Sequence, residues 1–189
     1  VASVWGADTQ RRIIAVAGNP NSGKTTIFNG LTGAHQRVGN WPGVTVERKV
    51  GLARLGQREV EVVDLPGTYS LRAFSEDERV ARDYLLQDSA DLVLVVADAS
   101  NLERNLFLVL QLIELRLPLV LALNMVDVAE ANGIQIDVAS LERILGVPVV
   151  TTVANRRTGL SGLKEKLAAL LDQGPLPTPA EVRVPYPKA

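Results

Sequence analysis

Short apolar runs alternate with helix-length segments along most of the chain. "IIAVA" (13–17), "DLVLVVAD" (91–98), "PLVLALN" (118–124) and "VPVVTTV" (147–153) are strand-sized and rich in aliphatic residues. Runs of this length without regular polar alternation predict strands buried on both faces. Two further segments, "VERKVGLARL" (46–55) and "EVEVVDL" (59–65), alternate roughly by two and flank "GQR". That pattern predicts a hairpin. Between the strands lie helix patterns. "TTIFNGLTG" (25–33) is stopped by Gly33, and "EDERVARDYLLQ" (76–87) carries Val80, Tyr84 and Leu85 at helical spacing. "NLERNLFLVLQLIEL" (101–115), "SLERILG" (140–146, with Ser140 as the expected N-cap) and "SGLKEKLAALL" (161–171) complete the set.

Strands interleaved with helices predict an α/β fold: a mostly parallel six-stranded sheet with one antiparallel edge strand and helices on both faces. The expected organisation is an N-terminal extension (1–10), one globular domain (11–172) and a Pro-rich linker (173–189). At 189 residues the chain is long enough for one domain with a full core.

Composition narrows the chemistry. The formal net charge is −1, which gives no field for nucleic acid, so no nucleic-acid partner is expected. Cysteine is absent and His35 is the lone histidine. Thiol nucleophiles, disulfides and histidine-rich metal sites are therefore excluded. No apolar run approaches the ~18 residues of a membrane-spanning helix, and the first residues lack the pattern of a signal peptide. No cluster of His, Cys or carboxylates has ligand spacing, so a specific transition-metal site is not expected.

The chemistry is expected in "GNPNSGKTT" (18–26), which has no bulky apolar side chain. Gly18, Gly23, Lys24 and Thr25 match G-x-x-x-x-G-K-[ST], after a predicted strand and before a predicted helix. Such a loop wraps backbone N–H groups around phosphates at a helix N-terminus. The nucleotide-binding set read here is Gly18, Asn19, Asn21, Ser22, Gly23, Lys24, Thr25 and Thr26. Lys24 is expected at the β- and γ-phosphates and Thr25 at Mg2+. "NMVD" (124–127) follows a buried strand. Asp127 can accept from both N1–H and the exocyclic amine of guanine, a pair adenine lacks. Asn124 is expected to tie this segment to the phosphate loop, and the Met125 stem to cover the base. In "DLPG" (64–67), Asp64 is expected beside Mg2+ and the Gly67 N–H at the γ-phosphate. Val153 and Ala154 stand where a last base-contacting loop belongs.

Motifs in this order resemble those of Ras-like GTPases. "HQRVGNWPGVTVERK" (35–49), with "GNPNSGKTT", "DLPGTYSL", "DASNLERNL" and "NMVD", further resembles the N-terminal G domains of FeoB, the bacterial ferrous iron transport proteins. The resemblance covers roughly residues 11–171. It implies a K+-activated GTPase regulating Fe2+ uptake, with GTP/GDP, Mg2+ and K+ as ligands. It implies a helical regulatory domain and a membrane permease region as partners in the intact protein, at the cytoplasmic face of the inner membrane; the fragment alone is expected to be soluble. Oligomerisation of the full-length protein is left open. A TrmE- or Era-like GTPase serving RNA modification or ribosome assembly is the alternative.

Thr68 follows Gly67 where Ras-like enzymes usually carry a glutamine. The resemblance instead implies K+ held by the Asn21 side chain and by the Gly39 and Trp41 carbonyls of switch I. It implies Thr45 of switch I as a further Mg2+ ligand. Lys24, Asn21, Thr45 and Gly67 form the implied catalytic set, and Thr25, Thr45 and Asp64 the Mg2+ set. Asn19 is expected to hold the loop through local backbone bonds. Trp41 is expected to be exposed, in a Gly/Pro-rich loop. His35 and the Arg156–Arg157 pair are expected to be solvated, with a contact from that pair to the nucleotide edge left open.

Overall fold

The computed structural model describes residues 11–87 and 90–173. The N-terminal extension, and the linker from residue 174 on, lie outside the described residues.

The sheet has seven strands: β1 (Ile13–Gly18), β2 (Gln36–Asn40), β3 (Glu47–Leu55), β4 (Arg58–Asp64), β5 (Leu92–Asp98), β6 (Leu119–Asn124) and β7 (Val149–Thr152). Their order is β2-β3-β4-β1-β5-β6-β7. The pairs β1–β4, β1–β5, β5–β6 and β6–β7 are parallel, while β2–β3 and β3–β4 are antiparallel. The helices are α1 (Lys24–Thr32), α2 (Glu76–Leu86), α3 (Leu102–Glu114), α4 (Val126–Ala131), α5 (Val138–Leu145) and α6 (Leu160–Asp172).

The continuous apolar runs form strands because both faces are covered. Along β1, Ile14 and Val16 pack with Phe28 of α1 and Leu163 and Leu167 of α6. Ala15 and Ala17 face the other layer, with Leu108 and Leu112 of α3 and Leu85 of α2. The period of two is present, but both sets are apolar, so alternation is invisible in the sequence.

Three features differ from the sequence expectation. The edge strand β2 adds a seventh strand to the expected six. Its residues from Arg37 to Asn40 are exposed, so no hydrophobic pattern marks it; pairing to the long β3 creates it. The short helix α4 is also additional. The N-cap of α5 is Asp137, whose carboxylate accepts from the Ser140 N–H at 3.0 Å, rather than Ser140 itself. Ser75 caps α2 by accepting from the Glu78 N–H at 3.1 Å.

The topology gathers chemistry at one edge. β1 ends at Gly18, β4 at Asp64, β6 at Asn124 and β7 at Thr152. These are the carboxyl ends of parallel strands, where open α/β sheets bind ligands. Among the described residues, no helix is long and apolar enough to cross a membrane.

Candidate functional site

The loop after β1 turns tightly into α1, with Asn19 and Ser22 buried and Pro20 and Asn21 exposed. Gly23 precedes α1 with φ 87°, a left-handed conformation that suits glycine. A Cβ there would run into the Asn124 amide. Gly23 therefore lets the loop and the β6 end approach closely. The backbone N–H groups of the first turn of α1 have no intrahelical partner and are free for an anion.

Lys24 and Asp64 form an ion pair, and the Thr25 hydroxyl lies 3.3 Å from the other Asp64 oxygen. Both pair members are largely buried. A buried lysine paired with one carboxylate leaves the ammonium available to a stronger anion arriving beside it. Lys24, Thr45, Asp64 and Gly67 line one cavity of about 360 Å3, together with Lys49 and Asp77. Its oxygen donors, the Thr45 hydroxyl and the Asp64 carboxylate with Thr25 beside it, are hard ligands of the kind Mg2+ prefers. The donor set fits that ion. Glu47, 2.7 Å from the Lys49 ammonium, raises the Lys49 pKa above its ordinary value, and burial opposes that shift.

The "DLPG" segment is docked on the phosphate loop. Leu65 N–H donates to the Val16 carbonyl at 3.0 Å and Thr68 N–H to the Gly18 carbonyl at 3.1 Å. A Cβ on Gly67 would crowd Pro20 at 3.2 Å, so any larger residue pushes the two loops apart.

Asn124 joins three segments. Its amide donates to the Ser22 carbonyl at 3.0 Å. Its oxygen accepts from the Thr152 hydroxyl and from the Ala154 N–H, each at 3.0 Å. Asn124 is 2% exposed, so water does not compete. The expected tie to the phosphate loop is present, and it extends to the loop after β7. Thr152 was missed by sequence reading: nothing in "VPVVTTV" distinguishes it from an ordinary strand residue. Val153 and Ala154 are buried, and the Ala154 N–H is engaged by Asn124. Met125 takes φ 62° at the start of α4, which points the chain from β6 toward Asp127. Arg156 reaches Asp127 at 3.7 Å, from an exposed position. The Arg156–Arg157 pair is exposed as expected, and so is His35.

Two expectations are corrected. Asn19 is buried, but its amide donates at 3.4 Å to the Arg104 carbonyl of α3, a distant partner rather than a local one. Trp41 is not exposed. It is 8% exposed and packs edge-on against Tyr84 of α2, with ring centroids 5.3 Å apart. Its aromatic area finds the α2 surface that the loop crosses, which composition alone does not reveal.

The implied K+ ligands are placed apart from this cavity's lining. Asn21 is exposed with φ 64°. Gly39 lies in β2 opposite Arg48 of β3. The Trp41 carbonyl accepts from the Val44 N–H at 3.3 Å. Ser22 and Thr26 lie on the loop and first turn of α1, Ser22 buried and Thr26 exposed. Among the described residues, no group of three His, Cys, Asp or Glu side chains gathers to hold a metal ion.

Comparison with known proteins gives one answer. A family model described as "Ferrous iron transport protein B" matches residues 12–167. The chain is 56% identical over 155 residues to the Fe(2+) transporter FeoB of Salmonella typhimurium, covering 80% of this chain and 20% of that protein. It is 54% identical over the same length and shares to that of Escherichia coli strain K12. The chain thus spans about a fifth of the length of these curated relatives. Among solved structures, it is similar to a mutant NFeoB of S. thermophilus bound to GDP, at 54% identity and TM-score 0.78, covering 83% of this chain and 61% of that one. It is also similar to the G domain of T. maritima FeoB, at 46% identity and TM-score 0.79, covering 84% and 98%.

Proposed function

The chain belongs to the FeoB N-terminal family, and we propose from this that it binds guanine nucleotides and hydrolyses GTP to GDP and phosphate. The observation that carries the reading is the convergence of Lys24, Thr25, Thr45, Asp64 and Gly67 at one sheet edge, with Asp127 three residues after Asn124, whose amide donates to the Ser22 carbonyl of the loop after β1. GDP in a relative 54% identical supports it.

In this reading Asp127 reads the base. Lys24 exchanges its Asp64 partner for phosphate oxygens, and the free first-turn N–H groups of α1 hold the same anion. The Gly67 N–H and Thr45 hydroxyl close over the γ-phosphate end. Mg2+ held by Thr25, Thr45 and Asp64, and K+ held by Asn21 with the Gly39 and Trp41 carbonyls, would both neutralise phosphate charge when bound. The family alternative in RNA modification loses its ground with the family assignment.

In the whole protein the domain is proposed to regulate Fe2+ uptake from the cytoplasmic side, with residues 173–189 leading to a helical domain. The test is GTP turnover in K+ against Na+ at equal ionic strength. Turnover is expected to be faster in K+, and Asn21→Ala is expected to remove most of the difference. One well-placed charge-stabilising group is typically worth about 10²–10³ in rate. Matched rates in the two salts would remove Asn21 from the mechanism.

A further inference from the structure

A second cavity, of about 290 Å3, opens between the segment after β2 and α2, and shares no lining residue with the cavity that holds Lys24 and Asp64. Its apolar wall is Trp41, Val44, Val80 and Tyr84, and Arg48 of β3 closes one side. Two of these residues carry an anomaly. The Trp41 indole N–H and the Arg48 Nε–H are both buried and have no hydrogen-bond acceptor. Buried donors are paired in nearly all native structures, and leaving one unpaired is costly. The two belong together: the Arg48 guanidinium sits 5.0 Å from the Trp41 ring centroid.

The other polar residues of the lining are Arg79, Asp83, Tyr84 and Gln87, and none of them accepts from either donor. The Tyr84 phenol is pushed up to about 12, by burial foremost, with Arg48 acting against the rise, so it stays neutral at ordinary pH. Asp83, the carboxylate on the rim, is engaged by Arg82 at 2.7 and 2.9 Å. The cavity thus joins an aromatic and aliphatic wall to two arginines, one carboxylate and two unsatisfied donors.

We infer that this cavity is a binding site for a small, flat aromatic carboxylate, whose ring packs on Val80 and Tyr84 and whose oxygens accept from Trp41 and Arg48. The volume suits a molecule of one or two rings. Small-molecule sites combine an apolar lining with a few placed polar groups, as here. The two walls are switch I and α2, so an occupant ties them together. It holds the turn in which Trp41 N–H donates to the Val46 carbonyl and Val44 N–H to the Trp41 carbonyl. That turn sets the approach of Thr45.

The test uses the 189-residue chain with 2-naphthoate as probe and 2-naphthylmethylammonium, of the same ring and opposite charge, as control. The chain has two tryptophans, Trp5 and Trp41, so Trp5→Phe identifies the Trp41 indole N–H signal by nuclear magnetic resonance. The expected result is a saturable downfield shift of that signal with naphthoate and none with the ammonium. Arg48→Met is expected to weaken naphthoate binding about tenfold or more, the loss of a charged hydrogen bond. Val80→Phe, which fills the cavity, is expected to abolish binding, with the remaining spectrum reporting that each variant is folded. Saturation is expected to slow amide exchange at Trp41 and Val44. Equal shifts with both ions, no saturable shift, undiminished binding in Val80→Phe, or unchanged exchange would overturn the inference. The charge comparison requires no variant.

Discussion

Replacing Asn124 by alanine should do more damage than its size suggests. The change deletes one donor and one doubly used acceptor, all at 3.0 Å, from a residue 2% exposed. It strands the Ser22 carbonyl, the Thr152 hydroxyl and the Ala154 N–H. Each buried polar group left unpaired costs about 1–3 kcal/mol. The full sum is an upper bound. The Thr152 hydroxyl can turn, and the space left by the amide can admit a water with polar partners around it. The expected loss is ~2–4 kcal/mol, a large fraction of the ~5–15 kcal/mol stability of a domain. With a urea slope of about 1–3 kcal/mol per molar, the midpoint should fall by about 1–2 M.

The assay is equilibrium unfolding in urea without nucleotide, because bound ligand adds its own stability. Thr152→Val serves as the companion. Alone it removes one donor and should cost about 1 kcal/mol. In the Asn124→Ala background its partner is already gone, so it should cost far less, giving a coupling near 1 kcal/mol. GDP affinity should fall in Asn124→Ala as the base segment loses its register on the phosphate loop. A midpoint within error of the parent, or strictly additive costs, would refute the view that Asn124 clamps three segments.

Two further outcomes follow from the same geometry. Thr45→Ala should slow GTP hydrolysis and leave GDP affinity nearly unchanged, since Thr45 lies exposed on the loop beside the cavity rather than in the phosphate loop; equal loss of GDP and GTP binding, by calorimetry, would point to a folding defect instead. Asp137 has its pKa lowered from 3.8, first by its hydrogen bond with the Ser140 side chain and then by the Ser140 backbone. Its contribution to α5 is therefore present above the unfolded value and lost as pH falls through the lower folded value. A magnetic-resonance titration should place Asp137 below 3.8, and Asp137→Asn should remove that pH dependence; a value at or above 3.8 would contradict the cap.

The parallel strands and the phosphate loop were legible because buried runs and glycine spacing are local signals. β2 was not legible, because its outward residues are polar or lie exposed and only the length of β3 creates a place for it. Trp41 was read as exposed for a related reason: Gly, Pro and Asn around it suggest an open loop, while its burial depends on Tyr84, which the fold alone brings near. The roles of Lys24, Asp64 and Asn124 rest on spacing to a motif, so their neighbourhood could be anticipated. Thr152 acts through a contact with Asn124 across two strands, and no local pattern encodes that. Asp137 rather than Ser140 caps α5 because the helix begins three residues earlier than its apolar periodicity shows.

The most direct test is phosphate release from GTP and from ATP by the unmutated chain, with Mg2+ and K+ present, repeated on Asp127→Ala. GTP is expected to be hydrolysed and ATP turned over far more slowly, and that preference is expected to be lost when the Asp127 carboxylate is removed. Comparable turnover of the two nucleotides by the unmutated chain would contradict the proposed guanine specificity.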